Sequence, residues 1–555
     1  MKKHLLLLLC MFTVATGFAQ DRYVVFFTDK NNSPYSIGNP SAYLSARAIQ
    51  RRQAQNIAVT QQDFPVNPAY LTGVAGTGAT ILNTSRWFNA VTVEVANPGV
   101  LTAINALPYV ASSTEVGRIG APVTTEPKFD LEKIRYKGPA PVANERVSSL
   151  NYGTAFNQVN MLKGDQMHDN GYTGAGKIIA VLDAGFLNAD AMPVFDSLFN
   201  SNRILATWDF VDGNASVFED DWHGSMVLSV MGGYQPGTII GTAPGASYLL
   251  LRSENAPAEA IIEEYNWAAA AEYADSAGAD IINSSLGYTR FDNPTQDHSY
   301  ADMDGNTTPI SRAADIAATK GIVVCNSAGN EGNGSWFRIS APSDADSILC
   351  VGAVDATSLY ASFSGKGPAS DGDIKPNVAA QGAQTIVSDP FNGTGTFPAN
   401  GTSFSSPLMA GMVATLWQCH PNATNMEIIN AIQQSASQFT SPDSLLGYGI
   451  PDFPLACLIL GGIDPGMGLN GDNLIIQNNP FNSTLQLSFY SDYSQKIEIR
   501  LVDMLGKVIY NKTHSVLGLQ MNQIDIDANF AKVFMWWRLS LKIGCFRRRW
   551  LRIEN

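Results

Sequence analysis

Ile178-Ile179-Ala180-Val181-Leu182-Asp183-Ala184-Gly185 is the stretch that decides the fold. Five apolar residues in a row, too few for a helix, read as a strand buried on both faces, and a carboxylate and a glycine turn end it. Similar apolar runs recur at Tyr248–Leu251, Asp280–Ser284, Gly321–Cys325 and Ile348–Val354, each separated from the next by helix-like spacing. Strand–helix alternation predicts a parallel, doubly wound α/β sheet with helices on both faces. In such sheets functional groups gather at the carboxyl ends of the strands, which is where Asp183 falls.

Two other blocks share this character. His223-Gly224-Ser225-Met226-Val227 opens a helix-like segment after Glu219–Asp221. Gly401-Thr402-Ser403-Phe404-Ser405-Ser406-Pro407 precedes the apolar helix Leu408–Cys419, with Pro407 expected in its first turn. Ser403 is then expected just ahead of a helix N-terminus, where free backbone N–H groups favour a developing oxyanion. A serine nucleophile needs a base, usually histidine. The chain has six histidines. His4 lies in a leader, His514 in a C-terminal β unit, His420 at a helix end, His168 in a polar helical stretch and His298 in an Asp/Asn-rich loop. Only His223 is followed by a glycine that permits close backbone approach. Singly, each residue has a bland reading: Asp183 as a turn former, His223 and Ser403 as helix caps, Asn330 as a left-handed turn residue. Their joint order argues against coincidence. Glu219, Asp220 and Asp221 read as a solvated acidic loop rather than a metal site.

Together the blocks resemble the subtilisin-like serine peptidases (subtilases, peptidase family S8), whose chain order is Asp, His, Ser. Ser285-Leu286-Gly287, Ser327-Ala328-Gly329-Asn330-Glu331-Gly332, Val351-Gly352-Ala353-Val354 and Tyr448-Gly449 extend the likeness. The resemblance implies a serine endopeptidase with Ser403 as nucleophile, His223 as general base and acid, Asp183 orienting the imidazole, and Asn330 in the oxyanion hole. It implies substrate binding by Ser285, Leu286, Gly287, Ser327, Ala328 and Gly329. A residue near Ser340 completes an S1 pocket expected to favour large apolar or neutral P1 residues. Met226 stands where many subtilases have a second histidine. Gly232–Gly245 lacks the insertion that forms a strong calcium loop in many relatives. No cofactor is required, and a structural calcium is allowed but not evident. An inactive subtilase-fold binding protein is the main alternative. An esterase of the α/β-hydrolase class is disfavoured by the Asp-His-Ser order and the absence of a Gly-x-Ser-x-Gly elbow.

The domain plan follows. Residues 1–19 carry Lys2, Lys3, an apolar run and Gly17-Phe18-Ala19, the layout of a signal peptide. Residues 20–117 read as a small α+β unit, with a helix over Ser41–Gln55 capped by Ser41, and they resemble the family's inhibitory propeptide. Residues 118–150 read as an exposed linker with a processing site, 151–460 as the catalytic domain and 461–471 as a Gly-rich linker. Residues 472–531 read as a small β-sandwich. Asn479-Pro480-Phe481 and Leu501–Val508 resemble the sorting domain of the type IX secretion system of Gram-negative Bacteroidetes. That implies export through the periplasm to the surface or medium. The expected partners are a protein or peptide substrate, the propeptide and the secretion machinery.

The 555 residues carry 35 Lys/Arg against 49 Asp/Glu, a net charge of −14 that argues against a nucleic-acid partner. No run beyond the leader approaches a membrane span. Residues 532–555 break the pattern with seven Lys/Arg, one Glu and three of the nine Trp. Strand alternation stops after Ala531. This tail reads as out of frame with an ancestral coding sequence, and it is expected to leave a strand edge unpaired. Cys325 and Cys350 lie in apolar runs and are expected as buried thiols. Cys419 and Cys457 are a candidate pair, Cys545 lies in the tail, and the natural substrate is not legible.

Overall fold

A computed structural model describes residues 21–118, 128–129, 132, 148–461 and seven shorter stretches between 474 and 553. The signal-peptide reading of residues 1–19 lies outside the described residues.

The N-terminal unit is a four-stranded antiparallel sheet. Its strands are β1 (Asp21–Phe27), β2 (Thr80–Ser85), β3 (Ala90–Val95) and β4 (Val110–Arg118), in the order β2-β3-β1-β4. Helices α1 (Ala46–Ala54), α2 (Pro68–Gly76) and α3 (Pro98–Asn105) accompany it. The helix expected from Ser41 begins later: Ser45, not Ser41, accepts the Ala48 N–H as N-cap, and Pro40–Ala42 forms a separate turn. The Ser45 hydroxyl takes one of the orphan donors of the first turn, which is what ends a helix at that point.

The central sheet has seven strands, all parallel. They are β5 (Ile178–Asp183), β6 (Ile204–Asp209), β7 (Ser247–Arg252), β8 (Ile281–Ser284), β9 (Val323–Ser327), β10 (Leu349–Val354) and β11 (Val378–Gln381). Their order is β11-β10-β9-β8-β5-β7-β6. Every residue of β5 is buried, as a strand covered on both faces requires. Helices α4 (His223–Gly232) and α7 (Thr402–Cys419) share one core cluster with Ile179 and Val181. Helices α5 (Ile262–Ala277) and α6 (Pro309–Thr319) share the opposite one with Ala180 and Leu182. The chain reverses its direction of winding at β5. A crevice therefore opens at the carboxyl ends of β5, β7, β8 and β9.

Helix α7 corrects one expectation. It starts at Thr402, so Ser403 lies inside its first turn and Pro407 inside the helix rather than at its start. A proline there removes the N–H that would bond the carbonyl four residues back. That carbonyl is Ser403 O, and it accepts the Ser285 hydroxyl at 2.9 Å instead. The lost helical bond thus becomes a tie between the Ser403 turn and the loop after β8.

Helices α8 (Asn425–Gln434) and α9 (Phe453–Leu460) close the domain. Cys419 and Cys457 form a disulfide, with Cα atoms 6.5 Å apart, and Cys325 and Cys350 are buried free thiols. Beyond residue 473 lie a three-stranded sheet (Leu474–Ile476, Thr484–Ser491, Gln520–Asp527) and a four-stranded one (Gln495–Val502, Val508–Val516, Trp537–Ile543, Arg548–Ile553). The expectation that the tail leaves an edge unpaired is not met. Trp537–Ile543 pairs antiparallel with Gln495–Val502, and Arg548–Ile553 adds beyond it.

The disulfide closes a 38-residue separation at the end of α7. Replacing both cysteines with serine should lower the unfolding free energy by about 3–4 kcal/mol, the loop-closure value. Urea unfolding followed by intrinsic fluorescence measures it.

Candidate functional site

Asp183 ends β5 and is fully buried. Its Oδ1 accepts the Ala184 N–H at 2.8 Å and lies 2.7 Å from His223 Nδ1. His223 begins α4, where Asp221 Oδ1 accepts its backbone N–H at 2.9 Å. Gly224 is what permits the approach: a Cβ there would lie 2.3 Å from Gly185 O and 3.0 Å from Asp183 Cβ. Ser403 stands across the crevice on α7, 3% exposed. The Asn330 amide is fixed by its own oxygen, which accepts Thr402 N at 2.8 Å and Thr402 Oγ1 at 3.0 Å. Its Nδ2 therefore points into the crevice.

A group that sequence reasoning missed occupies the meeting point. Glu132, from the stretch read as an exposed linker, is 3% exposed. Its Oε1 accepts Ser403 Oγ at 2.7 Å and Asn330 Nδ2 at 3.0 Å. Its Oε2 lies 2.9 Å from His223 Nε2. Its backbone carbonyl accepts Asn400 N at 2.9 Å. Phe129 stacks on the His223 ring, centroids 4.0 Å apart and planes 18° off parallel. Lys128 is inserted among Glu254, Glu259 and Glu263. Residues 128, 129 and 132 are thus built into the cleft, contrary to the linker reading. Composition hid them, because a Pro-, Lys- and Glu-rich stretch without periodicity reads as solvated.

The expected substrate residues mostly line the same cleft, about 860 Å³ in volume: Ser285, Leu286, Gly287, Ser327 and Gly329, with Ser340 and Glu331. Ala328 does not line it. It is fully buried behind, packed with Ile339, Cys350 and Ala369. Gly287 and Gly329 both face Ser340 Oγ, which a Cβ at Gly287 would approach to 2.2 Å.

The remaining described histidines are engaged elsewhere. His168 meets Tyr152 Oη at 2.7 Å and Thr242 O at 3.0 Å, and burial pushes its pKa down to about 4. His298 pairs with Glu264, His420 with Cys457 O and His514 with Tyr510 Oη. Asp209, Asp212 and Asp220 converge as metal ligands could, but the Arg252 guanidinium sits among them. The Glu219–Asp221 stretch is therefore bonded to its surroundings: Glu219 accepts the Ser216 hydroxyl at 2.5 Å, Asp220 pairs with Arg252 and Asp221 caps α4.

The N-terminal sheet is clamped to the central domain by buried charge. Arg51, Arg52 and Arg86 all pair with Asp275 of α5, and Arg52 also holds Asp63 at 3.0 Å. Burial opposes the Asp275 carboxylate, but the three guanidiniums outweigh it and hold its pKa below the usual range. Ser85 Oγ and Arg86 N both donate to Glu272.

Residues 174–449 match the Subtilase family, residues 22–128 the peptidase S8 propeptide domain of Bacteroidota, and residues 478–531 the secretion system C-terminal sorting domain. Subtilisin E of Bacillus subtilis (strain 168) is 29% identical over 301 residues, 53% of this chain and 68% of that protein. Subtilisin of Bacillus pumilus is 28% identical over 51% of this chain and 92% of its own length. Among solved structures, MycP1 from Mycobacterium smegmatis aligns with a TM-score of 0.43 at 24% identity, covering 60% of this chain and 92% of that one. The chain belongs to the subtilisin-like serine peptidases. More particularly, it is a propeptide-bearing S8 peptidase with a sorting domain that directs secretion or surface attachment, and no helix among the described residues is long and apolar enough to cross a membrane. The sorting match ends at residue 531, where strand alternation stops in the sequence.

Burial opposes the His223 imidazolium, but the Asp183 and Glu132 carboxylates outweigh it and hold its pKa well above 6.5. A raised folded pKa contributes stability in full below the ordinary value, lost as pH rises through the raised one. Histidine NMR on the full chain should find His223 still protonated well above pH 6.5. Glu132→Gln should bring its titration down towards neutrality.

Proposed function

We propose that this is a secreted serine endopeptidase held as a zymogen by its own Lys128–Glu132 segment. Ser403 Oγ attacks the scissile carbonyl while His223 Nε2 takes its proton. His223 then returns that proton to the leaving amine, giving an acyl-enzyme that water hydrolyses by the same relay. Asp183 keeps the Nδ1–H tautomer and stabilises the imidazolium without itself taking a proton. Asn330 Nδ2 and the Ser403 N–H stabilise the tetrahedral oxyanion.

One observation carries this reading: a single carboxylate contacts the Ser403 hydroxyl, the Asn330 amide and the His223 Nε2 together. A carboxylate at that point has the shape and charge of a cleaved product's acid end. The groups that hold it are the ones that would attack, stabilise and relay the proton. The same contact supports inhibition. It engages the hydroxyl that must attack, and it favours the protonated histidine, which cannot act as a base.

Phe129 lies over His223 and Glu132 N bonds back to Phe129 O at 3.1 Å. That tight turn does not match the extended backbone a substrate presents, which supports a blocking rather than a substrate role for the segment. The small lining of Ser285, Gly287, Ser327, Gly329 and Ser340 supports a large apolar or neutral P1 residue. The propeptide is proposed to inhibit in the same molecule, and no cofactor is proposed.

Full-length protein should shed its N-terminal 100–130 residues or so and label with a serine-directed fluorophosphonate. Ser403→Ala should do neither. Equal processing of both would assign the cutting to another peptidase. Glu132→Gln should label at least about tenfold faster at pH 6, because it removes the block and lowers the His223 pKa, and a tenfold shift corresponds to one pKa unit. Labelling of the parent chain should rise with pH as the imidazolium deprotonates.

A further inference from the structure

Three carboxylates of the catalytic domain converge at one end of the cleft. Glu254 and Glu259 lie in the loop after β7, and Glu263 lies in the first turn of α5. Glu254 and Glu263 are each 2% exposed and Glu259 19%. None is loose. Glu254 Oε2 accepts the Tyr288 hydroxyl. Glu263 Oε1 and Oε2 accept Asn255 N and Ala260 N, both at 2.8 Å. Asp292 Oδ2 accepts Glu259 N at 3.0 Å and adds a fourth negative charge nearby. The group they hold is the Lys128 ammonium, bonded to Glu254 and 3.1 Å from both Glu259 and Glu263.

Three features separate this cluster from a structural ion pair. Glu254 and Glu259 line the cleft that contains Ser285–Gly287 and Ser403, and Glu263 reaches the same ammonium from behind them. Their cation comes from the blocking segment, four residues before the carboxylate that holds Ser403. That cation is what favours their ionised forms. Burial pushes Glu259 up to about 8 and Glu263 well above its ordinary value, even with Lys128 opposing both. When the segment leaves, Glu254 and Glu259 remain lining the cleft without that ammonium, and another cation or protons must take its place.

We infer that Glu254, Glu259 and Glu263 form a substrate subsite that takes a basic side chain, lysine above all, on the amino-terminal side of the scissile bond. The inference rests on the peptidase reading and adds a second determinant to it, away from the neutral S1 pocket. Lysine fits better than arginine for a geometric reason. An ammonium has three donors around one nitrogen, matching three carboxylates from three directions, whereas a guanidinium is a planar fork suited to a bidentate partner. Lys128 is the in-chain copy of that ligand, so the zymogen segment and the substrate compete for one pocket. Arg290, the other cation lining this cleft, contacts Ser335 Oγ at 3.2 Å rather than the cluster.

The test uses full-length protein allowed to process itself. Fluorogenic peptides with a constant apolar P1 residue carry Lys, Arg, Met or Glu at each position ahead of it, and kcat/KM is measured for each. At one position the Lys peptide should exceed the Met peptide by about tenfold or more, mostly through KM. Arg should fall between them and Glu should be worst. In Glu254→Gln the Lys-to-Met ratio should fall towards one, and Glu259→Gln, at the more exposed of the three positions, should lower it in the same direction. Equal rates for Lys and Met at every position, with the peptides readily cleaved, would overturn this inference and leave the peptidase reading intact. Failure to cleave any peptide would sink the peptidase reading and this inference with it. Rates indifferent to lysine but dependent on millimolar calcium would assign the three carboxylates to a metal ion and also overturn it.

Discussion

The arrangement of the cleft depends on one buried carboxylate. Glu132 accepts hydrogen bonds from Ser403 and Asn330 and lies 2.9 Å from His223 Nε2, all in one crevice. A buried charge is tolerated only when it is paired and hydrogen-bonded. Glu132 has both kinds of partner only because Asp183 lies on the far side of the imidazole and favours its cationic form. Asp183, His223 and Glu132 thus form a chain of alternating charge, negative, positive, negative, running from the end of β5 to the Ser403 hydroxyl. Removing either end lowers the pKa of the middle.

The same logic of mutual compensation recurs at larger scale. The N-terminal sheet is held partly by an apolar contact, Val24, Ala90 and Val116 against Ile262, and partly by Asp275, a fully buried carboxylate facing three arginines. A buried ion cluster of this kind is weak evidence for extra stability, because desolvation opposes it. Its stronger consequence is orientation. Asp275 and Glu272 lie on α5, and so does Glu263 of the acidic cluster. The helix that docks the propeptide therefore also helps anchor Lys128 in the cleft. The sheet that packs on α5 and the residues Lys128, Phe129 and Glu132 in the cleft thus share one helix as support.

Much of this was legible in the residues. The strand β5 and its terminal Asp183 followed from an apolar run closed by a glycine turn, and the His223 choice followed from Gly224, whose missing side chain the packing requires. The strands of the sorting region were legible because one face is buried and the period of two survives: Leu485, Leu487, Ile497, Ile499, Ile524 and Ile526 all face inward. Edge strand β6 (burial pattern ieiiiB) and short β11 lacked a long apolar run and were not legible. Neither was α2, whose Thr and Gly residues blur the helical period. The helix cap fell on Ser45 instead of Ser41 because both residues suit the role, and only tertiary packing chose between them. The cleft-bound segment was opaque for a deeper reason. Its burial comes from partners about ninety or more residues away in the chain, and no local period encodes that.

Pro407 shows how a local violation can serve the site. A proline at a helix start is unremarkable. Within α7 it removes a backbone bond at the turn that carries Ser403, a defect that ordinarily costs about 3 kcal/mol or more. The freed Ser403 carbonyl is buried and must find another donor. It finds the hydroxyl of Ser285, the first residue of the Ser285–Gly287 stretch. Ser406 of the same turn reaches the same region, donating to Asn283 Oδ1 at 3.1 Å, and Asn283 Nδ2 donates in turn to Ser285 Oγ at 3.3 Å. The turn bearing Ser403 and the loop lining the cleft are therefore one hydrogen-bonded unit. Replacing Pro407 with a residue that restored the helical bond would make the two donors compete for one carbonyl. The register between Ser403 and Ser285–Gly287 would then lose the tie that sets it.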